Sequence, residues 1–271
     1  MKVQELLKRP SKVSLRDREL LLAHLLKVKV GEVYLLLDRH VSKEMEEEYM
    51  RSLSLLEEGY PLQYLLGEWD FYGRTFRVEE GVLIPRPETE LLVEKVLEKV
   101  PPNKEAVGFE IGVGTGCISI TLLLERPKLI MYADDLQEKA VHLAETNARL
   151  HKVEDRLFLK VGDMFEPVKG MVFDFVISNP PYIPQKEWEG LPKGVKLESK
   201  VSLIGGEKGY EFYERFAKEV GKFLKEDGFF ALEIGHDQGK ILEDIFSQEG
   251  FFAQVYKDYA GQDRGILGWK R

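Results

Sequence analysis

The sequence predicts an α/β protein in which a mostly parallel sheet is covered by helices on both faces and preceded by a small helical bundle. Three observations carry this reading. From residue 106 onward, short apolar runs alternate with helical patterns, the βαβ rhythm of a parallel sheet. Residues 1 to about 72 repeat their apolar positions only at helical spacing. The closing segment, FFAQVYKDYAGQDRGILGW, is two strand-like runs joined through Gly261, so the last strands pair antiparallel.

The elements follow in order. In SLRDRELLLAHLLKV, Leu15, Leu22, Leu25 and Leu26 share a face, and Ser14 with Asp17 resembles a capping box. In SKEMEEEYMRSLSLLEEGYP, Met45, Tyr49, Leu53 and Leu56 form one stripe. Ser42 is its N-cap, Gly59 supplies the left-handed stop, and Pro61 prevents continuation. These stripes are packing faces. Residues 68–88, EWDFYGRTFRVEEGVLIPRPE, read as a hairpin, with aromatic and β-branched residues around Gly73 and VEEG as a turn before VLIP. The chain therefore divides into a helical domain (1–72), a hairpin linker (73–88) and a larger α/β domain (89–271). TELLVEKVLEKV is a helix with Glu88 or Thr89 near its start. VGFEIGV, LIMYAD, LFLKVGD, VFDFVIS and FFALEIG are the strands that follow.

Composition excludes several classes of function. The 271 residues are 44% hydrophobic and 32% charged, which fits a folded globular chain. With 39 basic against 47 acidic side chains the net charge is −8, so no global positive field holds nucleic acid by its phosphates. The single cysteine, Cys117, excludes an internal disulfide, and five scattered histidines lack ligand spacing, so no metal site is expected. The N-terminal residues lack the apolar core of a signal peptide, and no run is long enough to span a bilayer, which predicts a cytoplasmic protein with no membrane partner.

The chemistry gathers at strand ends. In FEIGVGTGCISI, Gly112, Gly114 and Gly116 lie between an apolar strand and an apolar helix, where missing side chains let a ligand approach the backbone near a helix N-terminus. The spacing is G-x-G-x-G, with Cys117 where a dinucleotide fingerprint wants its next residue, which favours a ligand without a pyrophosphate. The second strand ends in Asp134 and Asp135, the latter close to the roughly 20-residue distance from Gly112 at which an acid meets ribose hydroxyls. After the third strand, Asp163 can accept from an adenine amino group while Met164 packs on the ring. Three such ends in succession point to a nucleoside cofactor, because ligands of open α/β sheets sit at the carboxyl edge.

The fourth strand, VFDFVIS, releases Asn179-Pro180-Pro181-Tyr182 at that same edge. An amide side chain both accepts and donates, a proline-locked carbonyl is an acceptor of fixed direction, and a tyrosine ring stacks on planar groups. The set suits a planar NH₂ group held by the Asn179 side-chain oxygen and the Pro180 carbonyl, its π-face turned to an electrophile.

GVGTG followed by NPPY resembles the class I S-adenosylmethionine-dependent methyltransferases that act on planar nitrogens. GYPLQYLLGEWDFYGRTFRVEEGVLIPRPETELLVE, LIGGEKGYEFY and DYAGQDRGILG resemble one family among them, the protein-(glutamine-N5) methyltransferases of the HemK/PrmC type. The resemblance spans essentially the whole chain. It implies a Rossmann-like, mostly parallel seven-stranded sheet with an antiparallel last strand. It also implies S-adenosyl-L-methionine as cofactor, S-adenosyl-L-homocysteine as product, and class 1 peptide chain release factors as partners, methylated on the glutamine of their GGQ motif. Carried over by position, Glu110, Gly112, Val113, Gly114, Thr115, Gly116, Asp135, Asp163, Met164 and Asn179 bind the cofactor. Asp135 takes the ribose because it stands five residues before Ala140, and Asp134 is a second candidate. Asn179, Pro180, Pro181 and Tyr182 are the catalytic and glutamine-binding set, with Arg86, Glu88 and Thr89 beside the target. The family's proline after the acid at Glu198 is absent in ESKVSL, so no role passes to Glu198.

The helical domain is expected to dock the release factor. A nucleic-acid amino-methyltransferase, acting on N6 of adenine or N2 of guanine, shares the chemistry but calls for a basic surface or an added recognition domain, so no stable nucleic-acid partner is expected. A non-catalytic module predicts degraded strand ends, which this chain does not have. His236 reads as an ordinary loop histidine and Cys117 as a packed residue at a helix start.

Overall fold

The structure is a computed structural model describing residues 1–271. Its chain forms two compact units. One comprises Met1–Glu68 together with Pro192–Leu197, and the other comprises Trp69–Leu191 with Glu198–Arg271. No helix is long and apolar enough to cross a membrane.

The first unit holds helices Val3–Lys8, Leu15–Leu26, Lys43–Glu57 and Leu62–Leu66, a 3₁₀ segment Val30–Leu36, and a single turn Lys193–Lys196. Ser14 and Ser42 are N-caps whose side chains accept from the backbone N–H of Asp17 and Met45. Tyr49 and Leu53 are buried, and Met45 and Leu56 pack at the margin of the same core. Leu15 departs from its expected stripe and is exposed, because the first position of a helix lies beyond the ridge that Leu22 and Leu26 bury. Gly59 takes the left-handed φ of +91°. A Cβ on Gly194 would sit 2.5 Å from the Gly59 carbonyl oxygen, so the returning segment packs backbone to backbone here.

The second unit begins with a hairpin, β1 (Glu68–Phe71) and β2 (Arg74–Arg77), turned through Tyr72 and Gly73. Both turn residues have positive φ, +51° and +69°, the handedness that tight hairpins require. The hairpin is shorter than the 73–88 linker expected from sequence. Residues 78–86 form no strand: Pro85 offers no N–H to a ladder, Val78, Val82 and Ile84 are buried, and the Ile84 N–H donates to a side chain, Oε2 of Glu198 at 3.0 Å.

Seven strands make the main sheet: β3 (Ala106–Ile111), β4 (Leu129–Asp135), β5 (Leu157–Val161), β6 (Phe173–Ser178), β7 (Leu224–Glu233), β8 (Phe251–Lys257) and β9 (Asp263–Lys270). Their order is β5-β4-β3-β6-β7-β9-β8. The first five are parallel, and β9 runs antiparallel between β7 and β8. This is the mostly parallel sheet that the alternating pattern foretold, in the seven-stranded class I methyltransferase arrangement that the family resemblance implied. Helices Pro87–Lys99, Cys117–Glu125 and Glu138–Leu150 bury Leu92, Val96, Ile118, Leu122 and Ala144 on one face of the sheet. Helices Glu211–Glu219 and Gly239–Gln248 bury Phe216, Leu242 and Phe246 on the other. Strand order reverses at β3, where Ile111 stands level with Asp134 of β4 and Ser178 of β6. Loops leaving β3 and β6 must part there, which opens a crevice at the carboxyl edge.

Candidate active site

The crevice is a cavity of about 330 Å³, within the range of small-molecule sites. Its wall includes Gly112 to Thr115 after β3, Asp134 and Asp135 at the end of β4, Asp163 and Met164 after β5, and Asn179 to Pro181 after β6. One cavity thus collects the ends of four strands scattered through the sequence.

The glycine loop is fixed by β4. The Asp134 carbonyl accepts from the N–H groups of Gly112 (3.0 Å) and Val113 (2.8 Å), and the Asp135 carboxylate accepts from Gly114 (3.0 Å) and Gln137 (2.9 Å). Gly112 has φ +76°, and a Cβ there would meet nothing within 4 Å, so the missing side chain leaves room for a ligand. Gly116 differs. It does not line the cavity, and a Cβ would crowd Ile120 (2.9 Å) and Ala144 (3.2 Å), so packing rather than ligand contact explains it. Buried Asn147 ties the loop to the hairpin, donating to the Thr115 carbonyl (2.8 Å) and accepting from the Arg77 N–H (2.7 Å).

The cavity is rich in carboxyls. Glu110 lies deep, accepting from the backbone N–H and the hydroxyl of Ser119 at the start of helix Cys117–Glu125. Burial pushes its pKa up to about 8 against the pull of those two bonds. Asp134 is 1% exposed, its Oδ2 has no partner, and burial lifts it likewise to about 8. Asp135 is raised by burial, less the effect of its two backbone donors. Asp163 is ion-paired with Arg215 at 2.8 Å. Acids that burial holds protonated ionise more readily beside a cation, so this wall favours a ligand that brings positive charge, and increasingly so as pH rises. A sulfonium centre and an ammonium group fit the donor set, and Gly112 leaves space for them. Burial pushes the Cys117 thiol up to about 12, which removes it as a nucleophile, and His236 is exposed outside the cavity.

At the β6 end, Ser178 donates to the Ile111 carbonyl (2.7 Å) and locks the strand terminus to β3. The following loop is held by segments that sequence alone leaves without a role. The Ile183 N–H donates to the Leu203 carbonyl (3.0 Å), and the Gln238 side chain donates to the carbonyls of Tyr182 (3.0 Å) and Gly209 (3.1 Å). A Cβ on Gly205 would lie 2.5 Å from the Pro181 oxygen, and one on Gly209 would lie 2.6 Å from the Tyr182 oxygen. LIGGEKGY and EIGHDQG are thus the cradle of the Asn179–Tyr182 loop.

Two expected contacts turn out otherwise, while a third residue, Thr89, lines the cavity with its hydroxyl already engaged. Tyr182 does not line the cavity: its ring packs at the margin of the core under helix Glu211–Glu219, and its hydroxyl donates to Glu233 Oε1 (3.4 Å). Glu88 is exposed and outside the wall, since the helix turns its neighbour Thr89 inward instead. Thr89 is buried and its hydroxyl is already committed, donating to Glu233 Oε2 (2.7 Å) and accepting from Asn179 Nδ2 (3.2 Å). Arg86 does line the cavity, anchored by Glu198 at 2.5 Å. That same carboxylate receives the Ile84 N–H, so Glu198 is the fastener of the 84–87 loop. Sequence reading also passed over Leu136 and Val201, large apolar residues left exposed on the cavity wall.

The chain is similar to known proteins along nearly its whole length. Residues 87–191 match the methyltransferase small domain, and residues 3–67 match the PrmC N-terminal domain. The release factor glutamine methyltransferase of Aquifex aeolicus is 52% identical over 98% of this chain and 95% of its own length. The chain belongs to the release factor glutamine methyltransferase family. A second member, from Bacillus cereus, is 37% identical over 92% of this chain and 90% of its own length. A methyltransferase structure from Pyrococcus furiosus aligns with a TM-score of 0.56 at 17% identity, covering 74% of this chain and 90% of that one, a likeness of fold.

Proposed function

We propose that this protein transfers the methyl group of S-adenosyl-L-methionine to the side-chain amide nitrogen (N5) of the GGQ glutamine in class 1 peptide chain release factors. The reaction yields N5-methylglutamine and S-adenosyl-L-homocysteine, and its place is the cytoplasm. The observation that carries the reading is that one cavity is walled both by the 112–115 loop with its acids and by Asn179 to Pro181. Asp135 would receive the ribose hydroxyls, Asp163 the adenine amino group, and Met164 the face of the ring. When bound, the cofactor supplies an electrophilic methyl on a positive sulfur.

The rest of the work falls to the chain. An amide nitrogen is a poor nucleophile because its lone pair is delocalised into the carbonyl. The Asn179 oxygen and the Pro180 carbonyl hold its two hydrogens, aim the nitrogen and strengthen as positive charge grows on it. No base acts before attack, since the methylated nitrogen is itself acidic and releases its proton to these acceptors or to water. The helical unit is the docking element for the release factor, and the net charge of −8 opposes a nucleic-acid substrate.

Methyl transfer from labelled cofactor to three acceptors tests this: intact release factor, its Gln→Ala variant at the GGQ motif, and duplex DNA. Labelling of the first alone is the expected result. Labelling of the Gln→Ala variant or of DNA refutes it.

A further inference from the structure

Glu233, at the carboxyl end of β7, is 2% exposed and takes no part in the proposed reaction. Its side chain accepts from the hydroxyls of Thr89 (2.7 Å) and Tyr182 (3.4 Å), while its backbone carbonyl accepts from the Tyr213 hydroxyl (2.7 Å). Thr89 in turn accepts from the Asn179 amide at 3.2 Å. The direction of this chain has a chemical cause. A hydroxyl has one hydrogen, and a carboxylate can only accept. Thr89 must therefore spend its hydrogen on Glu233, which leaves only lone pairs for Asn179. A carboxamide meeting lone pairs presents its NH₂, so its oxygen faces the other way.

That direction matters because the two ends of an asparagine are nearly isosteric. Turned over, Asn179 would offer NH₂ to the NH₂ of the substrate, and two donors make no bond. Resting on the Asn179 role proposed above, we infer that Glu233 is a positioning residue: through Thr89 it keeps the Asn179 oxygen facing the cavity as an acceptor for the glutamine amide. A protonated Glu233 can donate to Thr89 and release the threonine hydrogen toward Asn179, which permits the flipped amide. The groups facing this carboxyl are Thr89 and Glu88 from helix Pro87–Lys99, Tyr182 from the loop after β6, Tyr213 from helix Glu211–Glu219, Tyr256 from β8 and Arg264 from β9. Burial raises Glu233 to about 7, with Thr89, Arg264 and Tyr182 opposing the rise.

Steady-state kinetics with the full-length protein, a class 1 release factor and S-adenosylmethionine test this. Thr89→Val, an isosteric change, lowers kcat ~10-fold, the worth of one hydrogen bond. The KM for release factor and the calorimetric Kd for cofactor stay within about twofold of the parent. Thr89→Ser, which keeps the hydroxyl, restores kcat. The parent loses kcat as pH falls through about 7, and Thr89→Val flattens that limb. Thr89→Val/Glu233→Ala falls no lower than the worse single variant, because both break one chain. A parental kcat in Thr89→Val, or a kcat in Thr89→Ser no better than in Thr89→Val, overturns the inference. So does an acid limb that Thr89→Val leaves unmoved. Asn179→Ala separates the two claims: if it cripples kcat while Thr89→Val does not, only the positioning role falls, and if it is itself parental, the clamp falls with it.

Discussion

Asp134→Asn should make this protein more stable in mild alkali while leaving it nearly unchanged in acid. The folded carboxyl titrates near 8 against 3.8 in an exposed reference. Between those values the folded chain holds a proton that the unfolded chain has already released, so unfolding sheds it and stability falls as pH rises. The slope is about 1.4 kcal/mol per pH unit for one fully shifted group. From pH 5 to pH 8 the ceiling is therefore ~4 kcal/mol, and ~2 kcal/mol survives if water or local opening reaches the carboxyl in part. Asparagine has the shape of the protonated acid, keeps an oxygen for the Gly112 N–H at 3.4 Å, and does not titrate. Urea unfolding of parent and variant at pH 5, 6, 7 and 8 without cofactor isolates the difference, because Glu110 and Asp135 titrate in both. The variant should start level or slightly behind and lead by pH 8. Parallel stability curves across that range would show that the carboxyl ionises as freely inside as outside, and the description of the buried acid would be wrong.

The remaining expectations concern binding and turnover. Gly112→Ala adds a methyl in open cavity space and should weaken cofactor ~10-fold by calorimetry while its φ of +76° costs ~1 kcal/mol of stability, whereas Gly116→Ala, at φ +81° and also against Ala144, should cost ~2 kcal/mol. The preference for S-adenosylmethionine over its uncharged-sulfur product should grow from pH 6 to 9 as Glu110 and Asp134 lose protons, and a pH-independent ratio of the two Kd values would remove the carboxyls from charge recognition. Asn179→Ala should lower kcat far more than it weakens cofactor binding, while Asp135→Ala should chiefly raise the cofactor Kd; the reverse pattern exchanges their roles. Docking of the release factor on the helical unit, as proposed, would use exposed apolar surface such as Leu35, which is 83% exposed. Leu35→Asp should raise the KM for release factor and spare the cofactor Kd.

What sequence disclosed here is what local pattern encodes. Apolar runs of strand length, serine N-caps and closely spaced glycines are properties of neighbours along the chain, and they located the sheet, the helices and the glycine loop that lines the cavity. The parts that escaped depend on partners far away. Thr89 and Glu233 are separated by 144 positions and Ile84 and Glu198 by 114, and no periodicity announces such a pair. Glu233 reads in FFALEIG as an unremarkable strand end. Residues 78–86 misled for a related reason: their valines and isoleucine have the composition of a strand, but they bury themselves singly and borrow a side-chain acceptor instead of a ladder. The NPPY pattern and the stacking capacity of its ring place Tyr182 at the substrate, yet the strand exit turns that ring to the margin of the core.

The six residues 192–197 that fold with the helical unit change how this architecture can be dissected. The backbone passes between the two bodies three times rather than once, so cutting after residue 68 strands a fragment whose Gly194 was shaped to lie on Gly59. Grafting the helical unit of one relative onto the α/β unit of another must therefore transplant both pieces together. Their joint substitution, scored against either piece exchanged alone, would measure how tightly specificity and catalysis have been stitched into one thread.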